Sequence, residues 1–269
     1  MPQVEKDLDF VRYMGRFLVS LGCISVSSKL IPPATERKFF TSGFVIELIG
    51  DWYLVTCGHV FDGIRKYIAR QPQLIHTFVI HSGLGKFAIE RELVRFNYRE
   101  PDFSVHRDEG LDFGAIKLTA SERAILSSNN IIPVQERVWD QDLPPQFSKF
   151  AELGLPLQNM DLDKPGEAGI QPVYLRVEPT IGVEPRYAHQ TDKMRYFKVM
   201  EPSRPDLNIL GMSGCPVFAF REQPGRDVQF IACAAQSSWL PTSRILATVD
   251  LRFAGQQLRM AIKAKQAGS

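Results

Sequence analysis

The stretch "SGFVIELIGDWYLVTCGHV", residues 42–60, constrains the fold more than any other. Two apolar runs of strand length flank Gly50-Asp51, a hairpin signal, and the second run ends at Thr56, Cys57 and His59. The same texture of short strands between turn signals recurs along the chain. "GCISVSSKLI" precedes the hairpin, and "HTFVIHS" with "KFAIEREL" forms a strand pair around Gly-Leu-Gly. "LDFGAIKL" is a compact buried strand with Asp112 at its mouth. "PVYLRVEPTIGV", "MRYFKVM", "CPVFAF", "VQFIACAAQ" and "ILATVDLRF" follow, with "EQPGRD" a turn among them.

Helical patterns are few. Val4, Leu8, Val11, Met14, Leu18 and Leu21 recur at helical spacing and predict an amphipathic N-terminal helix. "HVFDGIRKYIAR" predicts a short helix, "SERAILSS" another with Ser121 as N-cap, and "FAGQQLRMAIKAK" closes the chain. Residues 130–170, with "DLPPQF" and "DLDKPGEAG", read as an irregular inter-lobe connection. Many short strands with helices mostly at the ends predict an all-β barrel or sandwich architecture. A chain of 269 residues can bury a sizeable core as one large β-rich domain or as two packed lobes.

Charge and cysteine usage exclude several classes. With 32 basic against 30 acidic residues the net charge is +2, which argues against a nucleic-acid surface. No apolar run approaches the ~20 residues that span a bilayer. Glu5, Asp7 and Asp9 upstream of "RFLVSLGC" argue against a secretory signal. The four cysteines, Cys23, Cys57, Cys215 and Cys233, lack CxxC spacing and read as free thiols of a reducing, cytoplasmic compartment. Cys57 and His59 supply two metal ligands where a structural site needs four, so no metal and no other cofactor is expected.

The second informative stretch is "LGMSGCPVF", residues 210–218. Gly-x-Ser-Gly-x-Pro is a tight turn into a strand, and the N–H groups of Gly211 and Ser213 can converge on one point, as an oxyanion requires. A serine hydroxyl needs a base, which His59 can be, and the base needs an acceptor to fix its tautomer. Asp112 is the best candidate, with Asp102, Asp108 and Glu109 on the same loop as alternatives. Chain order discriminates further. An α/β-hydrolase places its histidine after the serine, but the last histidine here is His189. A subtilisin order would need an upstream aspartate such as Asp51, in the hairpin turn. His59, Asp112, Ser213 is the order that remains. His76, His81, His106 and His189 lack partners at useful spacing and read as structural or surface residues.

With these three blocks in this order, the sequence resembles the chymotrypsin-like (trypsin-fold) serine peptidases. "SGFVIEL…WYLVTCGHV" is similar to that family's strand, turn and strand ending at its histidine, "LDFGAIKL" to its aspartate strand, and "GMSGCPVF" to its serine block. The resemblance implies two six-stranded antiparallel β-barrels with the catalytic groups in the cleft between them. It implies attack by Ser213, proton shuttling by His59, orientation by Asp112 and an oxyanion hole from Gly211 and Ser213. On this pattern residues 1–30 hold the N-terminal helix and lead-in strand, 31–130 the first lobe and 131–170 the connection. The second lobe takes residues 171–252 and the final helix 253–269.

One departure is instructive. The zymogen branch pairs a new N-terminus with an aspartate before its serine, and here that position is Met212. The chain is therefore more similar to non-zymogen bacterial or intracellular relatives. By the family pattern the primary pocket has its base at Leu207 and its wall near Ala234, Ala235 and Gln236, favouring a neutral apolar side chain. A one-residue shift would bring Asp206 to the base and favour Arg or Lys. The partners implied are a protein or peptide substrate and a regulatory protein partner, with no nucleic acid and no membrane. The N-terminal helix and the 155–170 loop are candidate gates. A non-catalytic scaffold that binds protein segments in its cleft is the alternative.

Overall fold

The computed structural model describes residues 11, 13–27, 37–72, 74–81, 94–106, 111–156, 173–181, 193–200, 209–221 and 228–267. A 3-10 turn, Gly15–Phe17, leads into the first lobe. There β1 (Leu18–Ser27), β2 (Arg37–Leu48), β3 (Asp51–Thr56), β4 (Leu74–His81), β5 (Val94–Phe96), β6 (Phe103–His106) and β7 (Asp112–Lys117) are joined, with helix α1 (Gly58–Arg70) after β3. They form an antiparallel sheet in the order β5-β4-β1-β2-β3-β7-β6. Two short helices follow, α2 (Ala120–Ser128) and α3 (Glu136–Trp139). The second lobe contains β8 (Lys149–Gly154), β9 (Val173–Pro179), β10 (Met194–Val199), β11 (Pro216–Arg221), β12 (Gln229–Leu240) and β13 (Ile245–Asp250). These close into a barrel, β10-β13-β12-β11-β8-β9, and α4 (Leu251–Ala267) ends the chain. This is the expected all-β double-lobed architecture, with seven strands rather than six in the first lobe among the described residues.

Strands such as β2 and β11 are buried on both faces over most of their length. On β2, Phe44, Ile46 and Leu48 enter a core shared by the two lobes, whereas Val45 enters the interior of the first. On β11, Phe218 and Phe220 face the shared core and Val217 and Ala219 the second barrel's interior. Side chains alternate across a strand, so one strand can seal two cores at once.

Several boundaries differ from the sequence expectation. Leu18 and Leu21 lie on β1, paired with Phe44 and Thr41 of β2, rather than at the end of a helix. A strand buried on both faces keeps positions i and i+3 apolar too, which imitates helical spacing. The hairpin turn is Ile49-Gly50, and Asp51 already belongs to β3. Helix α2 is capped by Thr119, not Ser121: Thr119 Oγ1 accepts from Glu122 N (3.3 Å) and Glu122 Oε2 from Thr119 N (2.7 Å), a capping box. The stretch read as an irregular connection contains β8, an integral barrel strand. "EQPGRD", all of "KFAIEREL" and most of the N-terminal helix fall outside the described residues.

Helix α4 runs back across both lobes. Arg259 donates to Asp140 Oδ2 (2.7 Å) and lies over the buried Trp139 ring, while Lys265 reaches Asp102 Oδ1 in the first lobe (3.1 Å). No helix among the described residues is long and apolar enough to cross a membrane.

Candidate active site

The end of β3 delivers the first group. Thr56 closes the strand, Cys57 remains extended as the N-cap of α1, and His59 lies in that helix's first turn. Asp112 opens β7, in register with His106 of β6. Its carboxylate accepts twice from His59: from the backbone N–H at 2.8 Å through Oδ1, and from ring Nδ1 through Oδ2 in a short hydrogen bond. The carboxylate is 6% exposed and the imidazole 37%, so the pair is rooted in protein and open at one end. An ionised carboxylate only accepts, so the proton of this hydrogen bond is on Nδ1, which in a neutral imidazole leaves Nε2 as the acceptor. Asp102, one of the alternatives, accepts instead from Lys117 N (2.7 Å) and Lys265 Nζ. Asp108 and Glu109 lie outside the described residues.

Ser213 arrives from the second lobe on two consecutive turns. Met212 N donates to Ile209 O (3.0 Å), and Cys215 N to Met212 O (2.9 Å). The third residue of each turn is a glycine at positive φ, Gly211 at 91° and Gly214 at 89°, and no such φ occurs at Leu210 or Ser213. These are type II turns. In that geometry the peptide joining the two central residues is turned over relative to type I. The Gly211 N–H therefore points away from the side it would take in a type I turn. Among the described residues no acceptor takes the N–H of Gly211 or of Ser213.

The lobes meet at this point. Thr56 Oγ1 lies 3.4 Å from Ser213 O, and a Cβ on Gly214 would come within 2.5 Å of that same Oγ1. Only a glycine lets the serine turn approach the histidine strand so closely. Gln236 O accepts from Gly214 N (2.8 Å) and from Cys57 Sγ (2.9 Å), joining the serine turn to the histidine loop.

Ala234 and Ala235, expected in a pocket wall, are buried: Ala234 in the second barrel's core and Ala235 in the shared core. Gln236 is buried as well, and β12 bulges between Gln236 and Ser238. Beyond the bulge Ser238 and Trp239 are half-buried. Leu207 and Asp206 are outside the described residues, as is the chain from 157 to 172.

Cys57 Sγ, His59 and Asp112 bring their ligand atoms within 4.8 Å of one another. Burial, with Asp112 nearby, pushes the Cys57 thiol well above its usual range, so a thiolate ligand is disfavoured. The Asp112 carboxylate is already committed to His59. The donor set suits proton transfer better than metal binding. Cys215 is likewise held as a thiol by burial, against Gly154 and Met212.

Sequence reasoning did not single out Ser42, Thr56 or Glu152. All three are buried, and only Glu152, between Ala151 and Leu153, interrupts an apolar pattern that the sequence shows.

No protein-family model matches the chain, and no curated protein sequence matches it. Solved structures do. Deg5 superposes with a TM-score of 0.51 at 15% identity, covering 95% of this chain and 93% of that one. The scabies mite inactivated protease paralogue S-I1 superposes with a TM-score of 0.50 at 10% identity, covering 94% and 96%. The serine protease domain of the Sesbania mosaic virus polyprotein gives 0.49 at 11% identity, over 90% and 91%. At such identities the likeness concerns the fold, and an inactivated protease is among the neighbours, so activity must be argued from the site. The chain adopts the trypsin-like double-barrel fold of the serine proteases.

Proposed function

We propose that this chain is a serine endopeptidase acting on protein or peptide substrates through an acyl-enzyme. The observation that carries the proposal is the paired acceptance, by the buried Asp112 carboxylate, of both donors of His59, three residues after Thr56, whose hydroxyl meets the Ser213 turn. A scaffold that only binds has no need of an imidazole held in one tautomer.

In this mechanism His59 Nε2 takes the Ser213 hydroxyl proton as Oγ bonds to the scissile carbonyl carbon. The carbonyl oxygen becomes an oxyanion that receives the N–H groups of Gly211 and Ser213, each worth roughly 3 kcal/mol in the transition state. The imidazolium, stabilised by Asp112, then gives its proton to the leaving amine as the C–N bond breaks. Water enters, loses a proton to His59 and releases the acid, restoring Ser213.

Met212 is buried in the second barrel's core, where a thioether cannot form the ion pair of a zymogen switch. The type II geometry at Gly211 supports a hole built without such a pair. The half-buried Ser238 and Trp239, beyond the bulge, are proposed as the substrate-facing part of β12.

The test is cleavage of a peptide library by wild type, Ser213→Ala and Asp112→Asn. Turnover is expected to fall by about 10⁴ or more in both variants. Library binding without cleavage by the wild type would favour the scaffold instead.

A further inference from the structure

We propose that Ser42 is the positioning residue that seats the oxyanion turn at the lobe junction, doing by hydrogen bonds what an ion pair would otherwise do. The inference rests on the peptidase reading above and deepens it.

Ser42 is on β2 and 1% exposed, and all of its polar groups are used where the two lobes touch. The β2–β3 ladder ends at the Phe44–Val55 pair, so the edge of β2 is open beyond it. The turn from the second lobe occupies that edge: Ser42 N donates to Gly211 O at 2.9 Å. Ser42 O accepts from Thr56 Oγ1 (2.9 Å), the hydroxyl that also approaches Ser213 O. The Ser42 hydroxyl donates to Leu155 O (2.9 Å) and accepts from Leu155 N (3.2 Å), clamping the segment just after β8.

Each bond constrains the turn differently. Gly211 O, anchored on Ser42 N, and Met212 N, closed onto Ile209 O, belong to one peptide, so the Gly211–Met212 unit is held from both sides. That unit links the two donor-bearing peptides, Leu210–Gly211 and Met212–Ser213, and so sets where both N–H groups stand. The Leu155 clamp sets the floor. Its neighbour Gly154 lies so close beneath Met212 and Cys215 that a Cβ there would come within 2.6 Å of Met212 Cε and 2.3 Å of Cys215 Sγ. The buried Met212 side chain, which cannot hold the turn electrostatically, is thus wedged against a segment that Ser42 fixes. The structure assigns Ser42 to positioning, because no atom of it needs to touch substrate.

The experiment compares wild type, Ser42→Ala, which removes the Leu155 clamp and keeps the backbone bond to Gly211 O, and Ser42→Thr, which retains the hydroxyl. Two quantities are read: the rate at which a fluorophosphonate labels Ser213, and amide exchange at Met212 and at His59. Ser42→Ala is expected to slow labelling by roughly 10–100-fold, the scale of an impaired oxyanion donor, with recovery in Ser42→Thr. Met212 N–H exchange should accelerate in Ser42→Ala while His59 N–H, held by Asp112, keeps its protection. Unchanged Met212 exchange, or loosening shared equally by His59, overturns the inference. If the wild type is not labelled at all, the peptidase reading fails, and the exchange comparison still decides the role of Ser42.

Discussion

Ile49 has a φ of 53° and Gly50 of 75°, which makes the two-residue loop between β2 and β3 a type I′ turn. A β-branched side chain in the left-handed region is disfavoured by about 1 kcal/mol or more, and Ile49 is 59% exposed, so burial offsets little of this. Ile49→Asn should raise the melting temperature by roughly 2–4 °C, measured by calorimetry. A fall would mean that the isoleucine makes a stabilising contact outweighing the backbone cost. The same turn illustrates a limit of sequence reading. Gly50-Asp51 was the visible turn signal, but Asp51 is drawn into β3 by Lys117 and Arg123, which leaves an isoleucine in the loop. His59, Asp112 and Ser213 stand out in the sequence because each polar group interrupts an apolar run or sits among glycines. Ser42 does not, because its contacts include backbone N–H and C=O groups that every residue possesses.

Among the elements, β8 was hidden in the sequence by a carboxylate. Ala151 and Leu153 face the shared core, whereas Glu152 lies opposite Leu175 and Val217 on the face lining the second barrel. A charged residue mid-strand breaks the apolar pattern by which the neighbouring strands were found. Burial raises the Glu152 carboxyl well above its ordinary value of 4.5, so the folded chain keeps this proton to higher pH than the unfolded chain. Stability from this group is therefore fully present below the ordinary value and declines as pH rises above it. Glu152→Gln should remove that decline, so the melting temperature of the variant relative to wild type should grow between about pH 5 and pH 8. A difference that stays constant or shrinks would mean the carboxylate is ionised in the fold. Helix α2 was legible in place but not in its cap, since Thr119 and Ser121 are equally good capping residues and only the reciprocal bond with Glu122 decides, whereas α3 lies in the stretch read as irregular.

At the scale of the molecule, the interiors of the two lobes and a third core between them define the architecture, and the shared core draws on both lobes through Phe44, Tyr53, Phe218 and Ala235. Chain order revealed the double-lobed plan because the histidine and aspartate strands precede the serine turn by a full lobe. The junction itself, built from Thr56, Ser42 and Gln236, is a property of packing that no local pattern encodes. The central claim is that this junction makes Ser213 a nucleophile with His59 as its base. The most direct measurement is reaction with a fluorophosphonate, followed by intact mass and peptide mapping of wild type, Ser213→Ala and His59→Ala. One adduct per chain, mapped to Ser213 and absent from both variants, is the predicted result. No adduct on the wild type, or an adduct that persists in His59→Ala at the wild-type rate, would contradict it.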